Sequence, residues 1–126
     1  MKPKEVLVCD GGSTDGTLEL LKQYPVEIVA TNTKGVGRAR NILASLASQE
    51  ILAYVDSDVY ISSNWLELMW KLHTQHPEID CITGPPTPTH RKEIETNPHI
   101  QGEVNLIPTK KISLTAITFK KETIQK

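Results

Sequence analysis

Asp56 and Asp58 stand one residue apart at the end of an apolar run, Ile51-Leu52-Ala53-Tyr54-Val55. Paired carboxylates are hard oxygen ligands suited to Mg²⁺ or Mn²⁺, ions that keep several waters and bridge to substrate phosphates. The chemistry this predicts is metal-assisted binding of a phosphorylated ligand. Five apolar residues without a charge predict a strand buried on both faces, and in open α/β sheets ligands bind beyond the carboxyl ends of such strands. If extended geometry continues through Ser57, residues 56 and 58 point to one side and address one ligand. A lone Asp-x-Asp more often caps or turns the chain before a helix; the buried strand in front of this one favours the ligand reading.

Asp10 also closes a short apolar run, Val6–Cys9, and the glycines behind it let another group approach the backbone closely. Arg38 and Arg40 fall near a predicted helix N-terminus, where a basic side chain gains nothing from the macrodipole, and their placement makes sense against an anion. A P-loop is rejected and a dinucleotide-binding oxidoreductase is disfavoured. Gly11 to Gly16 has the outer spacing of a P-loop but Thr17 stands where that motif requires lysine, and Gly35-Val36-Gly37 lacks the third glycine of a dinucleotide fingerprint. His73 and His76 share a helix face without a third ligand and are expected to be solvated, as is the cluster His90-Arg91-Lys92.

The elements that must position these residues are legible from periodicity and breakers. A strand at Val6–Cys9, a glycine-rich turn and a helix bearing Leu18 and Leu21 are closed by Pro25; a second strand follows at Glu27–Ala30. Ala39, Ile42, Leu43, Leu46 and Ala47 have the spacing of one buried helical stripe, leaving Arg38 and Asn41 off it and Arg40 at its margin. After the acidic strand, Ser62, Ser63 or Asn64 is placed to cap a helix whose apolar positions are Trp65, Leu68, Met69 and Leu72. Asn64 and Glu67 have capping-box spacing, and Pro77 ends the helix. Asp80–Thr83 reads as a fourth strand, residues 85–108 as a long proline-rich loop, and Lys111–Phe119 as a last strand of open direction before a charged, frayed end. Alternating strands and helices predict an α/β fold, a mainly parallel sheet with helices on both faces, in a single domain.

With 14 basic and 15 acidic residues in 126, nothing draws the chain to nucleic acid by long-range attraction. Cys9 and Cys81, in separate apolar runs, predict reduced core thiols of a cytosolic protein. No apolar run approaches the roughly 18 residues of a membrane span, so the expected location is cytoplasmic, with a peripheral position at the membrane surface left open.

Taken together, Val6-Leu7-Val8-Cys9-Asp10-Gly11-Gly12-Ser13-Thr14-Asp15-Gly16-Thr17, Gly37-Arg38-Ala39-Arg40-Asn41, Tyr54-Val55-Asp56-Ser57-Asp58 and Asn64-Trp65-Leu66 resemble the family 2 glycosyltransferases of the GT-A fold. The resemblance implies a Rossmann-like nucleotide-diphospho-sugar-binding half with a UDP- or GDP-linked donor and a saccharide, lipid or protein acceptor. It implies that Asp10 helps read the base, Arg40 supports the nucleotide, Asp56 meets the ribose, and Asp58 holds Mn²⁺ or Mg²⁺ on the diphosphate. Two departures stand beside it. The chain starts at what resembles the family's second strand, and no residue matches the later acidic motif that supplies the catalytic base. A member truncated at both ends is therefore expected, or an alternative start, or a degenerate copy whose sheet is completed by another chain, as in a homo-oligomer. Two alternatives are a phospho-receiver domain using Asp10, Asp56, Thr83 and Lys110 or Lys111, and a non-catalytic nucleotide-binding or assembly module.

Overall fold

The computed structural model describes residues 1–32, 35–83 and 116–124. The proline-rich stretch 85–108, the cluster His90-Arg91-Lys92, and Lys110 and Lys111 lie outside them. The chain divides into two compact units, residues 2–50 and residues 51–126 with Met1.

In the first unit β1 (Leu7–Asp10) and β2 (Glu27–Ala30) pair in parallel, Leu7 opposite Glu27 and Asp10 opposite Ala30. Hydrogen bonds from Glu27 N to Val6 O and from Thr31 N to Asp10 O, both 2.9 Å, add a rung at each end. Parallel neighbours need a crossover, and α1 (Thr17–Leu21) lies in it. The helix is shorter than its leucines suggest. Pro25 disfavours helical geometry at Tyr24, and the chain tightens into turns from Gln23 N to Leu20 O and Tyr24 N to Leu21 O. Glu5, just before β1, accepts hydrogen bonds from Ser48 N at 2.7 Å and Gln49 N at 3.2 Å, tying the lead into the sheet to the segment after α2.

α2 (Val36–Leu46) packs on β1, but its buried stripe is turned from the expected one. Leu46 is 50% exposed while Ala44 and Ala47 are buried. Burial centres on positions 40, 43, 44 and 47, which share the same i, i+3, i+4, i+7 spacing one residue further round. Small alanines allow close approach to the strand, so they take the centre that leucine was expected to hold. Arg40 thereby moves onto the half-buried side, and Arg38 and Asn41 remain exposed.

The second unit contains β3 (Ile51–Val55), α3 (Trp65–Gln75), β4 (Cys81–Thr83), β5 (Ala116–Lys120) and a terminal turn of helix, α4 (Lys121–Ile124), where a frayed end was expected. Its strand order is β3-β5-β4, with β5 antiparallel to both neighbours. The described strands thus form a parallel pair in one unit and an antiparallel three-stranded sheet in the other, where a mainly parallel sheet was expected. The strand–helix alternation in the sequence constrains only the first four strands and leaves the direction of the last one open; in the structure it lies antiparallel between β3 and β4. This also moves the centre of burial. Ala53 and Val55 of β3 are exposed, whereas Ile117 and Thr118 of β5 are 2% and 1% exposed. The consecutive residues Ala116, Ile117 and Thr118 point to alternate faces and are all buried, so the strand buried on both faces is β5, the central one.

Tyr54 and Phe119 meet diagonally across β3 and β5, ring centroids 5.0 Å apart and planes at 56°, a tilted arrangement favoured by the ring quadrupoles. On the opposite face of the sheet Ile82 and Thr118 are directly paired, and α3 covers them. Met69, Leu72 and Ile82 form a cluster flanked by Trp65, Leu68 and Ile79. His73 completes this stripe at 4% exposure, against the expectation that it is solvated. It lies four residues after Met69 and so shares its face. His76 is the more exposed of the pair and faces Glu78, with Nδ1 3.2 Å from Oε1.

No side chain caps α3: Asn64 already has helical dihedrals, φ −99° and ψ 0°, so its side chain is not set to reach forward to the next turn. The helix is entered through a turn from Trp65 N to Ser62 O instead. It ends before Pro77 as expected, and Lys120 clamps the exit, its Nζ donating to Pro77 O and lying 3.5 Å from Asp80 Oδ1. Both cysteines are free thiols and partly buried, and burial pushes the Cys81 thiol up.

Candidate functional site

Asp10 ends β1 and is 5% exposed. Its Oδ2 accepts hydrogen bonds from Gly12 N at 2.9 Å and Ser13 N at 3.0 Å, folding the glycine-rich turn back over the carboxylate. The turn requires φ +99° at Gly12, a conformation that L side chains rarely adopt. The Ser13 hydroxyl, then the Ser13 and Gly12 N–H groups, hold the Asp10 carboxyl below its ordinary value of 3.8 against the opposing effect of burial. The group is thus an ionised acceptor. Oδ1 also lies 3.4 Å from Ser13 N, and the roughly four lone-pair sites of a carboxylate leave acceptor capacity for a ligand N–H.

The same turn holds a residue that motif spacing did not single out. Asp15 Oδ1 accepts from Thr17 N at 3.2 Å and Thr17 Oγ1 at 2.6 Å, starting α1 after Gly16, which has φ 88°. The Asp-x-Thr spacing before a helix was the readable sign of this Asx-turn.

Arg38 lies exposed in the first turn of α2, and Arg40 is half-buried on the side of the stripe that faces inward. The N-terminus of α2 has no side-chain cap and no acidic residue in its first turn, so its field is not neutralised locally. Asp10, Arg38 and Arg40 thus belong to β1 and the helix packed on it.

Asp56 and Asp58 belong to the other unit. Strand geometry does not persist through Ser57: β3 ends at Val55, and Val59 N donates to Asp56 O at 3.0 Å, closing a β-turn. The two carboxylates are therefore the first and third residues of one turn, not neighbours on one face of a strand. Asp56 is half-buried and Asp58 exposed. Among the described residues no group of three His, Cys, Asp or Glu side chains is arranged to hold an ion. Two carboxylates nevertheless fit the donor chemistry of Mg²⁺ or Mn²⁺ when waters and ligand phosphates complete the shell. No described helix is long and apolar enough to cross a membrane.

Comparison with known proteins places these features. The family model described as "Glycosyl transferase family 2" matches residues 1–122. Chondroitin synthase of Escherichia coli is 29% identical over 108 residues, 82% of this chain and 14% of that protein. Poly(ribitol-phosphate) beta-N-acetylglucosaminyltransferase TarS of Staphylococcus aureus is 38% identical over 69 residues, 50% of this chain and 12% of that protein. Poly(ribitol-phosphate) beta-glucosyltransferase of Bacillus spizizenii is 36% identical over 87 residues, 64% of this chain and 14% of that protein. The chain thus spans about one seventh or less of the length of these relatives. A match over nearly every residue, through the glycine-rich turn of Asp10, the arginines of α2 and the acidic turn of Asp56 and Asp58, establishes that the chain belongs to glycosyl transferase family 2.

Proposed function

We propose that this chain binds the nucleotide-diphospho-sugar donor of a glycosyltransferase through a divalent metal and takes part in transfer of the sugar to an acceptor. The observation that carries the reading is the acidic turn. In a chain matched to the family over residues 1–122, Asp58 is presented to solvent directly after the strand end, with Asp56 two residues before it in the same β-turn.

In this reading the ionised Asp10 accepts an N–H from the base, a group present on both uracil and guanine, and its fixed turn orients the carboxylate before the ligand arrives. Arg38 and Arg40 oppose the negative charge of the diphosphate, Arg38 from the exposed first turn of α2 and Arg40 from its half-buried side. Asp56 meets the ribose, and Asp58, with Asp56, holds Mn²⁺ or Mg²⁺. When bound, the ion supplies charge neutralisation for the departing nucleoside diphosphate. The acceptor, a saccharide, lipid or protein, and the base that deprotonates it are assigned to no residue of this chain. A homo-oligomer that completes the sheet belongs to the same proposal. The family match leaves the phospho-receiver alternative without support.

Electron paramagnetic resonance of Mn²⁺ tests the metal assignment without requiring turnover. With UDP or GDP present, the wild-type chain is expected to diminish the free-ion signal beyond what the nucleotide alone does, and Asp58→Asn to leave it there. Equal loss of signal in the two proteins contradicts the role given to Asp58.

A further inference from the structure

His73 is a buried titratable group that the donor-site reading leaves without a role. Its Nε2 lies 3.0 Å from Thr118 Oγ1, and that hydroxyl lies 3.4 Å from the carbonyl oxygen of Ile82. Three elements, α3, β5 and β4, therefore meet in one chain of contacts. A threonine hydroxyl has one hydrogen to give. If it donates to Ile82 O, its lone pair accepts His73 Nε2–H and both contacts are hydrogen bonds. If it donates to His73 instead, the Ile82 contact is lost and the proton moves to Nδ1, which has no hydrogen-bond partner among the described residues. A buried N–H left unpaired costs more than a buried lone pair, so the first arrangement is favoured.

We propose that His73, Thr118 and Ile82 form a proton-sensitive latch. The neutral Nε2–H imidazole fastens α3 to β5 and β4, and a proton added at the buried, unpartnered Nδ1 weakens the docking of the helix by placing a charge there, not by breaking the Nε2–H contact. The charged groups around the ring are Lys120 on β5 and Asp80 at the entry to β4, 3.5 Å from one another. Burial is the dominant influence on the ring and pushes it below its ordinary value of 6.5. The Ile79 backbone, near the ring but outside hydrogen-bond geometry, works against burial, Lys120 reinforces it, and the Thr118 backbone and Asp80 work against it more weakly. Above pH 6.5 folded and unfolded chains are both neutral at this site, and the contribution of the latch is complete. Below it the unfolded chain takes up a proton that the folded chain resists, and the folding equilibrium falls by up to about tenfold per pH unit until the folded ring also titrates.

Long-range ¹H–¹⁵N correlation spectra of the full chain across pH test this, with urea unfolding of His73→Gln beside the wild type. Glutamine keeps an amide donor for Thr118 and does not titrate. The His73 ring is expected as the Nε2–H tautomer at neutral pH, with its midpoint below 6.5, and the wild-type acid slope in that region is expected to vanish in His73→Gln. An Nδ1–H tautomer, a midpoint at or above 6.5, or an unchanged slope in the variant overturns the proposal. If the variant does not fold, tautomer and midpoint in the wild type decide it.

Discussion

Thr118→Val changes a hydroxyl to a methyl at nearly constant volume, in a residue only 1% exposed, so its effect on stability isolates one polar group. The hydroxyl lost is the acceptor for His73 Nε2 at 3.0 Å and the donor to Ile82 O at 3.4 Å. The second contact is long and its loss costs little. The first leaves a buried imidazole N–H without an acceptor, a penalty of about 1–3 kcal/mol. Burying the new methyl returns roughly 0.8 kcal/mol. The net expectation is a loss of about 0.5–2 kcal/mol, a sizeable part of the 5–15 kcal/mol typical of a domain. Urea unfolding at neutral pH should show a lower midpoint with an unchanged m value, the pattern of altered stability without altered unfolding. Thr118→Ser is the control: it keeps the hydroxyl and should retain the acid slope even if the lost methyl lowers the midpoint. A valine variant as stable as the wild type would show that His73 does not depend on Thr118 and would remove the basis of the latch.

Gly12→Ala should destabilise by about 1–2 kcal/mol through the backbone alone, because the added Cβ meets no atom within 4 Å while φ stays at +99°; a neutral midpoint in urea would show that the turn over Asp10 has another conformation. Asp10 and Asp15 are both held below 3.8, so the stability they contribute is complete above that pH and lost as the pH falls through their folded values. Acid unfolding should therefore show a phase below 3.8 that is diminished in Asp15→Asn, separate from the His73 phase. Arg38→Ala should weaken UDP or GDP binding with little change in thermal midpoint, since the side chain is exposed; unaltered affinity by fluorescence titration would remove Arg38 from the site.

The legible parts of the fold are those where sequence rules act over a few residues. Strand β2 at Glu27–Ala30, β3 at Ile51–Val55 and the end of α3 before Pro77 stand where apolar runs and breakers place them. What periodicity does not fix is which neighbour an element meets. The stripe of α2 turned by one residue because Ala44 and Ala47 approach closely where Leu46 would not. β5 became the buried centre of its sheet because it entered between β3 and β4, a pairing that no local pattern in residues 116–120 encodes.

The site shows the same division. That Asp10 ends a strand was readable, but that its carboxylate shapes its own turn required the geometry of Gly12 and Ser13. The Asp56-Ser57-Asp58 spacing located the acidic segment, while its change from strand to turn depends on the bond from Val59 N to Asp56 O. His73 was expected to be solvated because no third ligand accompanies it and His76; its i+4 spacing from Met69 was the readable sign of burial, and the contact with Thr118 required the structure.

The donor-binding claim is tested most directly by calorimetric titration of the full chain with UDP and with GDP, each in Mn²⁺ and again in EDTA. Saturable binding of at least one nucleotide in Mn²⁺, lost in EDTA, is expected. No binding of either nucleotide to a folded sample in Mn²⁺, or equal affinity in EDTA, would contradict it.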